Sequence, residues 1–140
     1  MYFLKTEAAF DSAHFLYGYD GKCSNIHGHR WKLEIEIKSE TLCDEGQLNG
    51  MITDFGDLKA DLKALADSFD HTFIYEKGSL KASTVVALKS EGFCLTEVDF
   101  RPTAENFSRY FYGCMKAKGY NVHRMTVYET PNNCAVYSED

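Results

Sequence analysis

The stretch that decides the fold is RWKLEIEIK, residues 30–38, in which charged and apolar side chains alternate without exception. Successive side chains of an extended strand point to opposite faces, so the four apolar residues from Trp31 to Ile37 share one face. The charged residues share the other face. This stretch therefore predicts a half-buried β-strand, and it is the clearest strand in the sequence.

Weaker strand patterns lie on both sides of this stretch. Residues 2–10 indicate a first strand, and a third is expected around Met51 to Phe55, after a turn-like segment. A short strand is expected at Cys94 to Phe100. Two more are expected near the end of the chain, at Met125 to Glu129 and Cys134 to Tyr137.

Two segments change to a helical period. Apolar residues recur at spacings of three and four between Phe55 and Phe69, which is the pattern of an amphipathic helix. A second helix is predicted after Pro102, with Thr103 as its N-cap and Gly119 near its end. Residues 74–95 have no clear period and are expected to carry a short helix and a loop. The order of elements predicts a single α+β domain over residues 1–140, with helices on one face of an antiparallel sheet.

Composition excludes several classes of protein. The chain has 140 residues, 44% of them hydrophobic, and a formal net charge of −6, which argues against a broad nucleic-acid-binding surface. We expect no membrane helix, because no apolar run approaches about 18–20 residues, and no signal peptide at the N-terminus. The five cysteines are odd in number and form no Cys-x-x-Cys pair, so we expect reduced thiols and a cytoplasmic protein.

Three histidines, His14, His27 and His29, fall within sixteen residues. If the strand of residues 30–38 extends back, His27 and His29 project to the same side, because residues two apart in a strand share a face. His14 would join them from the end of the neighbouring strand. Three imidazoles suit Zn²⁺ with an open fourth position, as in catalytic sites. The alternative is three ordinary histidines without a metal.

Cys23 lies four residues before His27, and the sequence leaves three roles open for it. Its thiolate would complete a closed Cys-His₃ structural site, or stand beside the metal as an acid–base or nucleophilic group. The third role is that of an inert buried thiol.

Two further places carry candidate chemistry. Asp70 and His71 end the first predicted helix, where the carboxylate would orient the ring of a proton-shuttling histidine. Ordinary helix capping is the alternative. Glu129 ends an apolar strand, where a partly buried carboxylate would accept paired N–H groups from a guanine- or pterin-like ring. A plain exposed glutamate is the alternative reading of that position.

Six short motifs occur in one order along the chain and together resemble the 6-pyruvoyl-tetrahydropterin synthase family, most closely its bacterial carboxy-forming branch. The resemblance runs from about Phe3 to Tyr137. The motifs are Phe10-x-x-Ala13-His14, Cys23-x₃-His27-Gly28-His29, Met51-Ile52-x-Asp54-Phe55-x-x-Leu58-Lys59, Phe69-Asp70-His71, Pro102-Thr103-Ala104-Glu105-Asn106 and Val127-Tyr128-Glu129-Thr130.

The resemblance implies the tunnelling fold, a four-stranded antiparallel sheet with two helices on one face. In that family, trimers close a twelve-stranded barrel and two trimers stack into a hexamer, with active sites between subunits. The implied zinc ligands are His14, His27 and His29. The implied catalytic thiol and its proton-relay partners are Cys23, Asp70 and His71. The implied pterin anchor is Glu129, and the residues matching pocket-lining segments are Thr103, Glu105 and Thr130.

The resemblance also implies a reaction. A zinc-dependent lyase of this kind converts 7,8-dihydroneopterin triphosphate to 6-carboxy-5,6,7,8-tetrahydropterin, acetaldehyde and triphosphate, in queuosine biosynthesis. The Cys-x₃-His-Gly-His spacing resembles the carboxy-forming branch. The alternatives are the 6-pyruvoyl-forming activity and a non-catalytic, zinc-stabilised pterin-binding module. Candidates to hold the triphosphate are Lys22, Arg30, Arg101 and Arg124, and solvated surface charge is the alternative role for them.

Overall fold

Two long strands, β1 (Tyr2–His14) and β2 (His27–Ser39), form the centre of the fold in the computed structural model, which describes residues 1–140. They pair antiparallel without a break, from Tyr2 opposite Ser39 to His14 opposite His27. The first strand therefore runs four residues beyond its predicted end at residue 10. This extension places His14 inside the ladder and directly across from His27.

Four shorter strands complete one six-stranded sheet in the order β4-β3-β1-β2-β5-β6. Their bounds are β3 Phe73–Glu76, β4 Leu95–Val98, β5 Val122–Thr130 and β6 Asn133–Tyr137. The expectation of a four-stranded antiparallel sheet is wrong, because β3 pairs parallel to β1 and β4 pairs parallel to β3. Strand β4 lies within the short strand predicted at Cys94 to Phe100, whereas β3 was not predicted, because four residues are too few for the alternation of a half-buried strand to be evident.

The two predicted helices cover the apolar face of the sheet. Helix α1 spans Phe55–Phe69 and begins at Asp54, whose side chain accepts a hydrogen bond from the Gly56 N–H. The next helix along the chain, α2 (Ala82–Ser90), is the short helix expected between residues 74 and 95, and it buries none of its residues. Helix α3 spans Ala104–Ala117 with Thr103 as its N-cap, as predicted. The fold therefore has three helices, of which only α1 and α3 bury residues.

The expected strand around Met51 to Phe55 is wrong. The Gly50 N–H donates to the Cys43 carbonyl and the Cys43 N–H donates to the Met51 carbonyl, so this segment closes a local loop. Its backbone groups are satisfied there instead of in the sheet. The segment then leads directly into the cap of α1 at Asp54.

The core lies between the sheet and helices α1 and α3. Trp31 and Leu33 are fully buried, in agreement with the alternation in β2. Trp31 stacks on Phe10, with ring centres 6.0 Å apart, and meets Phe107 of α3 edge-on at 5.1 Å. The opposite face of the central strands carries ion pairs such as Arg30–Asp11, with atoms 2.9 Å apart. None of the helices is both long and apolar enough to cross a bilayer.

Candidate functional site

The three histidines lie together at one end of the apolar face of the sheet. His14 and His27 are direct partners across β1 and β2, and His29 lies two residues further along β2 on the same side. The next residue of that row is Trp31, which contacts the imidazoles of His14 and His29 at centroid distances of 4.9 and 5.5 Å. The apolar row of β2 thus ends in two imidazoles, and β1 supplies the third.

The nitrogens of these rings converge. One ligand nitrogen from each of His14, His27 and His29 lies within 4.8 Å of the others. The Nε2 atoms of His14 and His27 are 3.1 Å apart. Two nitrogens bound tetrahedrally to zinc at about 2.0–2.1 Å stand about 3.3 Å from each other. The spacing therefore fits a shared metal ion.

Backbone carbonyls determine which nitrogen carries the proton. His14 Nδ1 lies 2.8 Å from the Pro102 oxygen, and His27 Nδ1 lies 2.7 Å from the Asn25 oxygen. Because a carbonyl only accepts, both Nδ1 atoms must donate, and each neutral ring presents a lone pair at Nε2. Those two lone pairs face each other. His29 Nε2 is also buried and has no hydrogen-bond partner. Three imidazole nitrogens that converge on one point fit a cation.

Burial keeps these rings in the form that binds metals. Desolvation lowers the pKa of His14 to about 4, although its hydrogen bond to Pro102 opposes that shift. Burial also lowers the pKa of His29, against the opposing charge of Glu129. Both imidazoles are therefore neutral near pH 7, and a neutral imidazole is a metal ligand.

Glu129, which is on β5, lies beside the three histidines. Its carboxylate oxygens are 3.6 Å from His29 Nε2 and 4.0 Å from His14 Nε2, which is beyond a good hydrogen bond. The side chain is 30% exposed, so the carboxylate is open to a ligand. Thr130 follows it, and its hydroxyl accepts a hydrogen bond from the Asn133 N–H.

Cys23 sits on the loop that joins β1 to β2, in a 3₁₀ turn at Lys22–Ser24. Its residue is half-buried, and its carbonyl accepts a hydrogen bond from the Leu16 N–H at 2.9 Å. The converging ligand set contains the three histidines and does not include this thiol. The geometry therefore favours a three-nitrogen site over a closed Cys-His₃ site.

Asp70 and His71 form a hydrogen-bonded pair at the end of α1. Asp70 Oδ1 accepts from the Asp11 N–H and Oδ2 lies 2.8 Å from His71 Nδ1. These contacts, the Asp11 N–H foremost, lower the pKa of Asp70. The His71 ring is 79% exposed and makes no contact with the three histidines. It lines an open cavity of about 340 Å³ together with Ile26, the residue before His27.

The segment before α3 holds one residue that sequence reasoning missed. The Pro102 carbonyl orients His14, and the only sequence signal was a proline next to a helix cap. Thr103 uses its hydroxyl to cap α3 through the Asn106 N–H, and Glu105 in the first turn is exposed. Neither side chain contacts the histidines in this chain.

Comparison with known proteins agrees with this geometry. Residues 3–140 match the family described as 6-pyruvoyl tetrahydropterin synthase. The chain is 36% identical to the 6-carboxy-5,6,7,8-tetrahydropterin synthase of Haemophilus influenzae, over 99% of this chain and 100% of that protein. It is 33% identical to the protein of the same name from Rickettsia bellii, over 88% of this chain and 90% of that protein.

Solved structures share the fold at lower identity. An uncharacterized protein from Wolinella succinogenes superimposes with a TM-score of 0.81 at 18% identity, covering 99% of this chain and 98% of that one. The 6-pyruvoyl tetrahydropterin synthase of Caenorhabditis elegans does so with a TM-score of 0.69 at 21% identity, covering 99% and 96%. On the sequence match, with the same fold beside it, the chain belongs to the 6-pyruvoyl tetrahydropterin synthase family.

Proposed function

We propose that this protein is a zinc-dependent 6-carboxy-5,6,7,8-tetrahydropterin synthase, which converts 7,8-dihydroneopterin triphosphate to 6-carboxy-5,6,7,8-tetrahydropterin, acetaldehyde and triphosphate. The proposal extends to a cytoplasmic role in queuosine biosynthesis. Full-length similarity to proteins of that name supports it. The observation that carries it is the convergence of three imidazole nitrogens on one point.

The metal site would be formed by His14, His27 and His29. Three neutral imidazoles with an open position are the donor set of catalytic zinc. Bound zinc supplies Lewis-acid polarisation of the hydroxyl oxygens on the substrate side chain. Pro102 and Asn25 contribute through their carbonyls, because they hold two of the rings in the correct tautomer and orientation.

Glu129 would bind the pterin ring. Its partly exposed carboxylate lies next to the histidines and has oxygens free to accept paired N–H groups from a ring edge. Thr103, Glu105 and Thr130 are proposed to line the same pocket. A pterin held by Glu129 would present its side chain towards the histidines, because both lie on the same face of the sheet.

Cys23 and His71 would move protons at the substrate side chain. The Cys23 thiolate would act as the acid–base group, and His71, held by Asp70 at 2.8 Å, would relay the proton. The His71 ring is exposed and separate from the histidine cluster of its own chain. We therefore propose a homo-oligomer, a trimer or hexamer, in which Cys23 and His71 of different subunits meet.

The decisive experiment is product analysis with 7,8-dihydroneopterin triphosphate. Mass spectrometry of the pterin and an acetaldehyde assay are run on one zinc-loaded preparation, with Cys23→Ala as the matched control. The 6-carboxy product with equimolar acetaldehyde supports the proposal. Triphosphate release without acetaldehyde would assign the 6-pyruvoyl-forming activity instead. A pterin bound but unchanged would make the protein a zinc-stabilised binding module.

Restored queuosine in the tRNA of a deficient bacterial strain tests the pathway.

A further inference from the structure

One short segment contacts both the metal centre and the loop that carries the cysteine. Residues 15–26, here called the cysteine loop, connect β1 to β2 and include Cys23. Arg101 and Pro102 precede α3. Pro102 orients His14 through its carbonyl, and Arg101 reaches over the cysteine loop. The two halves of the proposed site therefore depend on adjacent residues.

Arg101 makes two contacts with the cysteine loop. Its Nη2 donates to the Tyr17 carbonyl at 3.1 Å, and its guanidinium carbon lies 5.6 Å from the centre of the Tyr19 ring. A cation at that distance over an aromatic ring is attracted by the ring quadrupole. The Arg101 Nε is shielded from solvent and has no hydrogen-bond partner, so the side chain is packed in place.

The Tyr19 ring transmits this contact to the turn that holds Cys23. A Cβ added at Gly21 would lie 2.7 Å from Tyr19 Cε1, so the ring lies directly against the Gly21 backbone. The Gly21 carbonyl in turn accepts the Ser24 N–H at 3.1 Å, which closes the 3₁₀ turn around Cys23. These contacts form one continuous stack, which consists of Arg101, Tyr19, Gly21 and the turn that carries Cys23.

We propose that Arg101 is a positioning residue for Cys23, acting through the Tyr19 ring to hold the cysteine loop against the segment that orients His14. The inference rests on the proposed role of Cys23 and adds the group that sets the place of its thiol. Arg101 was a candidate for binding the triphosphate. In the structure its cation faces the loop, so positioning accounts for its contacts.

The test measures the thiol without substrate. Arg101→Ala and wild type are alkylated with iodoacetamide, and the rate at each cysteine is followed by peptide mass spectrometry. We expect alkylation of half-buried Cys23 to rise about three- to tenfold, since one cation–π contact and one hydrogen bond are lost. Exposed Cys134 is the internal reference. Arg109→Ala, on the exposed side of α3, is the matched control and leaves the Cys23 rate unchanged. A Cys23 rate at or below that of wild type overturns the proposal.

A second pair of variants keeps the inference testable if Arg101→Ala folds poorly. Tyr19→Phe retains the ring and is expected to keep the wild-type Cys23 alkylation rate, whereas Tyr19→Leu is expected to match Arg101→Ala. Faster amide exchange at Leu16, whose N–H donates to the Cys23 carbonyl, accompanies the release of the loop. Unchanged alkylation and exchange in Tyr19→Leu would refute the stack, whatever the enzyme's product.

Turnover then separates positioning from direct substrate binding. For Arg101→Ala we expect kcat to fall with KM within about twofold of wild type, because the thiol is displaced and substrate contacts remain. A raised KM with unchanged kcat and unchanged Cys23 alkylation would make Arg101 a triphosphate ligand and reject the positioning role. Absence of turnover in wild type would count against the proposed function and leave the alkylation result valid.

Discussion

The Nε2 atoms of His14 and His27 face each other at 3.1 Å, and in the neutral rings both are lone-pair acceptors, because both rings donate through Nδ1 to backbone carbonyls. Two lone pairs at that distance repel in a buried site. A cation between them turns the repulsion into coordination. The fold therefore holds two rings in an arrangement that a bound cation would stabilise.

Removing one of these rings should abolish zinc binding and turnover together. For His27→Ala we expect at least about a hundredfold weaker zinc affinity, since even indirect changes around metal ligands cost 10- to 100-fold. Zinc at a hundred times its wild-type Kd should stabilise wild type by about 2.7 kcal/mol and this variant by no more than about 0.4 kcal/mol. Thermal unfolding with and without zinc measures this stabilisation in both proteins. His123→Ala, whose ring pairs with Glu36 and Asp140 elsewhere, is the control. Full zinc content and activity in His27→Ala would contradict the proposed site.

Cys23→Ala should separate metal binding from catalysis. The thiol is outside the converging set of nitrogens, so we expect stoichiometric zinc and unchanged thermal stability, with kcat lowered at least about a hundredfold. Zinc content by elemental analysis and product formation are measured on one preparation. Cys134→Ala is the matched control because that thiol is exposed. Loss of zinc from Cys23→Ala would instead support the closed Cys-His₃ site.

Asp70→Asn should lower stability in a pH-dependent way. The pKa of Asp70 is lowered from its ordinary value of 3.8, first by the Asp11 N–H and then by His71. The ionised carboxylate therefore stabilises the folded state above pH 3.8, and this contribution is lost as pH falls through the lowered value. We expect the Tm difference from wild type to be largest near neutral pH and to shrink in acid. Asp67→Asn, in an exposed pair with Lys63, should have a small effect throughout. A Tm difference between Asp70→Asn and wild type that grows in acid would be inconsistent with this account.

Trp31 should support both the core and the metal site. Trp31→Ala is expected to destabilise the fold by about 3–5 kcal/mol, because a fully buried ring is deleted. The rings of His14 and His29, which pack on the indole, should lose their fixed spacing, so zinc affinity falls as well. Trp31→Phe is the control and should cost less, since the buried indole N–H has no partner to lose. Chemical denaturation followed by circular dichroism measures both variants. Wild-type zinc affinity in a folded Trp31→Ala would show that the ring does not support the site.

Subunit mixing should test whether the site is shared between chains. Cys23→Ala and His71→Ala are each expected to be inactive alone. If each site combines Cys23 of one subunit with His71 of another, co-expressed variants carrying different tags recover part of the activity. Mixed oligomers purified through both tags provide the sample, and mixtures of Cys23→Ala with itself provide the control. No recovery in verified mixed oligomers would place both residues in one subunit.

The elements that were correctly predicted are those with a long local period. The alternation at residues 30–38 predicted the buried face of β2, and the apolar spacing from Phe55 to Phe69 matched α1 to the residue. Strand β3 has four residues, and a pattern that short does not distinguish a strand from a loop, whereas β4 lies within the short strand predicted at Cys94 to Phe100. The prediction of a strand at residues 51–55 was wrong for a related reason. A short apolar run does not distinguish a strand from a loop, and this one belongs to a loop next to a helix cap.

The same distinction between a local sequence pattern and tertiary packing applies to the candidate site. The sequence alone determined that His27 and His29 share a face, because that follows from the two-residue period of a strand. Only the tertiary structure decided that His14 lies opposite His27, that the Pro102 carbonyl orients its ring and that Arg101 covers the loop of Cys23. A local period reports which side of an element is buried. Register between strands, and contacts between residues 88 positions apart such as His14 and Pro102, arise from the packing of the whole chain.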